Sequence, residues 1–260
     1  MSDSLEKTAR RNFLRILPCI GICALGGMVL KAQATVPSEK EWFDKLDRLR
    51  GFQGKPFRFS IRIVSRFGER ETEENKVDVF FHSHKKILVL FRSPQTVSGR
   101  RILVEGNDMW LALPTSNRVL RISPSQRLLG EASNGDVMNI NFSEYALVLQ
   151  DEVVFENAHY IHLKLAASTN TQTYQTIEYL IDPKTQRPKL SHHYAASGKL
   201  IKSIHYQTYK SIGGHEMVQT LQLVNPVMKD NNTLMTFGGY QVIDLPEAYF
   251  RKDALLDLTL

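Results

Sequence analysis

Three histidine pairs are the side chains best suited to metal chemistry: His82 with His84, His159 with His162, and His192 with His193. A metal centre needs several imidazole, carboxylate or thiolate donors converging on one point. On a strand only the two-residue spacing puts both rings on one face, and Ser83-His84-Lys85 reads as a turn. There is no HExxH motif, so the sequence assigns no metal site and calls for no cofactor. Nucleophilic catalysis has no better support, for the chain lacks a GxSxG motif. Glu69, Glu71, Glu73 and Glu74 form a solvated hairpin run, and Asp151 and Glu152 open a strand. Neither group reads as an acid–base pair in a cleft. Arg58, Arg62 and Arg66 give one strand a cationic face, suited to anionic headgroups or simply to blunting a solvent-facing strand. The chemistry on offer is that of a binding protein, not an enzyme.

The first 34 residues explain much of the bulk composition. Arg10-Arg11-Asn12-Phe13-Leu14-Arg15 precedes an apolar stretch from Ile16 to Leu30, then Ala32-Gln33-Ala34. Paired arginines, apolar run and small-x-small triplet in that order read as a twin-arginine export signal cleaved between Ala34 and Thr35. The run is too short and too rich in glycine to be a membrane span. The expected mature protein, residues 35–260, is a single periplasmic domain. It keeps 28 basic and 25 acidic side chains, net +3 instead of +6, so basicity no longer argues for nucleic acid. Cys19 and Cys23 both leave with the signal, and no disulfide or zinc thiolate remains. Of the glycine pairs, Gly26-Gly27 belongs to the signal, Gly213-Gly214 to a turn and Gly238-Gly239 to a strand break; none is a phosphate cradle.

The elements that must position any site follow from periodicity. Ser38-Glu39-Lys40-Glu41 reads as a capping box, opening a helix to about Arg50 that ends at Gly51. Trp42, Phe43, Leu46 and Leu49 recur on one face of it, which must cover something. From Pro56 the period becomes two: Phe57, Phe59, Ile61, Ile63 and Phe67 alternate with polar residues. Strands are expected at 77–82, 86–91, 100–105, 109–113 and 118–122, joined by short turn-coded links. Residues 123–143 break the rhythm as a long loop, of the kind that is functional or mobile, and Ser143 to Gln150 reads as a short helix. Strands resume at 152–156, 158–166, 175–182, 188–195, 200–210, 216–224 and 234–242. A leucine-rich tail from Pro246 is expected to pack back on the body. The economical reading is mainly β, one antiparallel sheet of about ten to twelve strands.

Residues 99–142 carry a more specific pattern. Gly-Arg-Arg-Ile-Leu-Val-Glu-Gly-Asn-Asp-Met-Trp-Leu-Ala-Leu-Pro is followed by Asn-Arg-Val-Leu-Arg-Ile-Ser and Gln-Arg-Leu-Leu-Gly. This block resembles the outer-membrane lipoprotein-sorting protein family of the LolA/LolB-like superfamily. The later Ile-Asp-Pro-Lys-Thr, Ser-Gly-Lys-Leu and Ile-Gly-Gly segments resemble its second-half hairpins. The resemblance implies a curved half-barrel with helices plugging its open side. It also implies an apolar cavity for the acyl chains of lipids or lipoproteins, and partners such as an RND-type (MMPL-like) exporter or an outer-membrane acceptor. One departure stands out: where much of the family has Gly-Ser-Asp-Phe and then acidic residues, this chain reads Ala132-Ser133-Asn134-Gly135-Asp136-Val137-Met138.

Alternation and the helical face together nominate the cavity lining: Trp42, Leu46, Leu49, Phe57, Phe59, Ile61, Ile63, Val79, Phe81 and Trp110. The expected function is a monomeric, non-enzymatic carrier or chaperone that passes an acyl chain to a membrane or exporter partner, without nucleic acid. The alternative is an envelope-stress sensor on the same fold, although such regulators carry a second domain for which this chain leaves little room.

Overall fold

Ser38 caps the helix as its sequence predicts. Its hydroxyl accepts from the Glu41 amide at 3.4 Å, and the Glu41 carboxylate accepts from the Ser38 amide at 2.7 Å. The helix, α1 (Glu39–Arg48), buries Trp42 and Leu46, with Leu49 at its C-cap. The structure is a computed structural model and describes residues 36–68, 72–133, 136, 140–228, 230–258 and 260. The export signal, its cleavage point at Ala34 and Thr35, and Glu69 and Glu71 lie outside the described residues.

The strands are β1 (Phe57–Phe67), β2 (Glu73–Ser83), β3 (Lys86–Ser93), β4 (Arg101–Glu105), β5 (Asp108–Leu113), β6 (Arg118–Arg121), β7 (Arg127–Leu129), β8 (Ala132–Ser133), β9 (Tyr145–Phe155), β10 (Ala158–Ala167), β11 (Thr176–Ile181), β12 (Pro188–Tyr194), β13 (Leu200–Ile212), β14 (His215–Val224) and β15 (Asn231–Val242). Thirteen of them form one curved antiparallel sheet, open at both edges, in the order β6-β5-β4-β3-β2-β1-β15-β14-β13-β12-β11-β10-β9. Two meanders of hairpins therefore meet at a β1–β15 seam, where Phe57 pairs with Val242 and Ile61 with Phe237.

Each face of this sheet has its own cover. On the inner face, Phe57, Phe59, Ile61 and Ile63 of β1 join Val77 and Val79 of β2, Leu163 and Leu165 of β10, and the apolar face of α1. On the outer face, Phe80, Leu88, Leu90 and Leu103 are covered by the C-terminal segment through Phe250, Leu255 and Leu258. The Arg101 guanidinium clamps that segment, donating to the carbonyls of Leu255, Leu256 and Leu258 at 2.5, 2.6 and 2.7 Å. A planar fork with several fixed donors suits such a run of carbonyls. On the cationic face of β1, Arg62 holds Glu74 in a bidentate pair and Arg58 donates to Gln241.

Four expectations are corrected. The sheet has thirteen strands, more than the ten to twelve expected. A single α-helix, not several, covers the inner face among the described residues. The 123–143 stretch contains the hairpin β7–β8. Residues 143–150 belong to a 3₁₀ turn (Phe142–Glu144) and to the edge strand β9, not to a helix. A bulge explains the last error. Leu149 pairs with Lys164 and Leu147 with Leu165, leaving Val148 as an extra residue. An inserted residue breaks the two-residue alternation, so Leu147, Val148 and Leu149 look helical.

Candidate functional site

Eight of the ten nominated residues, Trp42, Leu46, Leu49, Phe57, Phe59, Ile61, Ile63 and Val79, pack in one buried cluster between α1 and the inner face. Phe81 is half-buried and stacks on Phe57 with ring centroids 4.9 Å apart. Trp110 is on the opposite face. It pairs with Leu103 across β4 and β5, packs in the outer cluster, and lies 4.0 Å beneath the Lys252 ammonium. Residues 109–113 are all apolar, so alternation could not say which of them point inward; Met109 does.

Polar contacts lock the helix onto the half-barrel. Trp42 donates its indole N–H to Gln150 at 3.1 Å. Glu39 accepts the Leu147 amide of edge strand β9 at 2.7 Å, and the Val218 amide donates to the Leu49 carbonyl at 2.8 Å. Glu39 thereby satisfies one backbone donor of a strand at the edge of the sheet formed by the described residues.

The free space is unevenly distributed. Under the helix is a small void of about 20 Å³, and deeper inside, lined by Asp136 and His193, one of about 10 Å³, room for roughly one water each. At the mouth lies a groove of about 510 Å³, between the end of α1, residues 51–55 and the β2–β3 turn. Phe52, Phe57 and Phe81 supply its apolar walls, and Lys40, Asp44, Asp47, Lys55 and His84 its polar ones. Burial, with the neighbouring Asp44 charge, pushes the Asp47 carboxyl up to about 6.

The sequence reading missed a buried polar cluster deeper inside. Asp136, from the connection between β8 and β9, forms an ion pair with Lys202 of β13; their side chains are 4% and 5% exposed. The Asp136 carboxylate also accepts from the Ser133 amide at 2.7 Å, the Ser133 hydroxyl at 2.9 Å and the Tyr174 hydroxyl at 2.8 Å. Burial alone would raise this carboxyl; Lys202, Ser133 and Tyr174 outweigh it and hold it below its ordinary value. Burial and the Asp136 charge push the Tyr174 phenol well above its own, so it stays a donor. Lys202 also donates to the Glu131 carbonyl at 3.2 Å.

His193 lines the same void. It is 0% exposed, sits edge-on to Tyr174 at 4.7 Å and shares a hydrogen bond with Ser191 through Nε2 at 2.9 Å. Its Nδ1 has no partner among the described residues. A signal for part of this cluster existed: Lys202 has the same parity as buried Ile204 and Tyr206, a lysine in the apolar phase of its strand.

His193 gives the cluster a pH signature. Burial pushes its pKa down from 6.5 to about 3. Below pH 6.5 the unfolded chain takes up a proton that the folded protein refuses until about pH 3, so stability falls with acidification across that window. Asp47 acts in the opposite sense between about pH 6 and 3.8, where its raised pKa favours the folded state on acidification. The comparison of wild type with His193→Gln isolates the first effect. Between pH 7 and 4 the variant is expected to lose about 3 kcal/mol less stability than wild type, at roughly 1.4 kcal/mol per unit. Parallel urea-unfolding curves for the two proteins at both pH values would refute it.

Comparison with known proteins places this geometry. The family model described as "-like: Uncharacterized protein" matches residues 83–257, more than half of the chain. The chain belongs to that family. Its fold is that of the LolA superfamily. A LolA superfamily protein from Nitrosomonas europaea superposes with a TM-score of 0.75 at 24% identity, covering 84% of this chain and 99% of that one. An outer membrane lipoprotein-sorting protein domain from Vibrio parahaemolyticus gives 0.68 at 18% identity, covering 83% and 99%. A DUF1329 family protein from Desulfovibrio piger gives 0.67 at 20%, covering 84% and 97%. No curated protein matches. The LolA-like fold expected from residues 99–142 is the fold found.

Proposed function

We propose that this protein is a non-enzymatic periplasmic carrier that binds the acyl chain of a lipid or lipoprotein and passes it to a membrane acceptor or an RND-type exporter. The observation that carries this reading is the mouth groove of about 510 Å³, whose wall residue Phe57 is also part of the continuous apolar inner face. The groove has the volume of a small-ligand pocket, about 300–1,000 Å³, and Phe52, Phe57 and Phe81 give it an apolar side within an otherwise polar rim. The likeness to the Vibrio parahaemolyticus outer membrane lipoprotein-sorting protein domain supports the same reading. The interior is packed in this structure, so an entering chain displaces side chains of α1 or neighbours such as Leu128, Leu129, Ile140 and Phe142. Burial gives roughly 0.8 kcal/mol per methylene, and a dozen methylenes about 10 kcal/mol gross, enough to drive such a displacement.

Phe81→Asp tests the reading at the groove, where the side chain is half-buried and its loss spares the core. Affinity for a fluorescent fatty acid is expected to fall at least tenfold, with circular dichroism and melting temperature little changed. Native mass spectrometry of protein isolated from its own periplasm should show a bound lipid or lipoprotein. A bare mass together with no fatty-acid binding would sink the proposal.

A further inference from the structure

We infer that Lys202, Tyr174 and His193 form an internal binding site for the carboxylate of a long-chain amphiphile, and that Asp136 fills it here as the chain's own stand-in. The inference rests on the carrier reading above and narrows its ligand class.

The donors belong to two different parts of the chain. Lys202 is on β13 and His193 on β12, within the sheet, and Tyr174 leads into β11. Asp136 and its companion Ser133 come from the connection between β6 and β9. A site whose donors are fixed on the scaffold and whose acceptor is on a connecting segment can exchange that acceptor. The site is built for a carboxylate: an ammonium 5% exposed and a phenol hydroxyl each reach a different oxygen of the same group. Ionised partners make such hydrogen bonds the strong ones.

His193 supplies an independent observation. A fully buried polar nitrogen without a partner is uncommon and calls for an explanation. We assign the tautomer in which the Ser191 hydroxyl donates to Nε2 and the ring proton sits on Nδ1. That N–H is a third donor beside the void that Asp136 and His193 line together. Asp136 leaves it unused; a ligand carboxylate seated deeper than Asp136 would use it.

The spaces also run in the right direction. The mouth groove and the void of about 20 Å³ share Asp47 as a wall. That void and the one beside Asp136 share Arg50, Ile140 and Tyr206. A chain laid along this series has its tail at the aromatic mouth and its head at Lys202.

Calorimetric titration of the mature protein with laurate, 1-dodecanol and acetate tests the site. Wild type is expected to bind laurate at least tenfold more tightly than dodecanol and to show no binding of acetate at millimolar concentration. Asp136→Asn, which removes the internal competitor, should tighten laurate binding about tenfold and leave dodecanol unchanged. The double variant D136N/K202M should lose most of the preference for laurate over dodecanol. Tyr174→Phe, which removes one donor and little else, should weaken laurate severalfold without affecting dodecanol, and it stands in if either Asp136 variant fails to fold. Equal affinity of wild type for laurate and dodecanol overturns the carboxylate site and leaves the carrier reading intact. Acetate bound as well as laurate overturns the long-chain assignment. Binding of neither laurate nor dodecanol overturns both proposals.

Discussion

Lys202→Met should destabilise the protein by about 3–5 kcal/mol, the usual consequence of removing one partner from a buried ion pair. The variant strands the Asp136 carboxylate, whose side chain is 4% exposed, with only the Ser133 and Tyr174 donors. The double variant K202M/D136L should recover most of that loss, because two apolar side chains of similar volume restore packing and remove both desolvation penalties. Urea-unfolding midpoints of the four proteins in the cycle measure the coupling directly. Additive effects, with the double variant at least as unstable as the sum, would show that the pair is not the unit described. The pair contributes little net stability by this argument, which is what an exchangeable internal anion requires.

Gly130→Ala is expected to have an effect of similar size for a different reason. Gly130 sits at the β7–β8 turn with φ +56°, where an L side chain is strained. A Cβ there would lie 2.0 Å from the Ser65 hydroxyl oxygen and 2.4 Å from that of Thr233. Both neighbours are 0% exposed and hydrogen-bonded to each other at 3.2 Å, and Thr233 accepts the Glu131 amide at 2.8 Å. Strain and overpacking together amount to roughly 3–5 kcal/mol, visible as a lowered melting temperature. Should Gly130→Ala instead melt within a degree or two of wild type, the hairpin is not docked on the β1–β15 seam as described.

The regular part of this fold was legible because its local signals agree. Ser38 and Glu41 specify the helix start, and the Phe57-to-Ile63 alternation specifies the inner face of β1 from sequence alone. Such agreement between local preference and tertiary role marks a readable sequence. The expected covering of that face by Trp42, Leu46 and Leu49 follows from the same pattern. What escaped was set by other information. The phase of residues 109–113 depends on pairing with β4, since both of its faces are apolar and both are covered. The bulge at Val148 disguised an edge strand. The Asp136–Lys202 pair joins residues 66 apart, and no spacing rule links an acid in an irregular segment to a lysine on a strand. Only half of that pair left a trace, as a charged residue in an apolar phase.

The β1–β15 seam has a further consequence, for how the chain assembles and how it fails. Strands at the start and end of a chain are commonly the ones that fray, and fraying at the rim of a sheet leaves the rest intact. Here the first and last strands of the described residues are neighbours at the centre, while the rims, β6 and β9, lie between them in sequence. Each meander can form from contacts between successive strands, but the union of the two waits on the most distant pairing in the sequence, Phe57 with Val242. High contact order of this kind slows folding to milliseconds or longer. The Ile243 amide, donating to the Pro56 carbonyl at 3.1 Å, extends the seam to the point where the outer strap departs. Loss of either of these strands would therefore split the half-barrel down its middle and separate the β2–β6 half from the β14–β9 half, which holds both Lys202 and the strands that anchor α1.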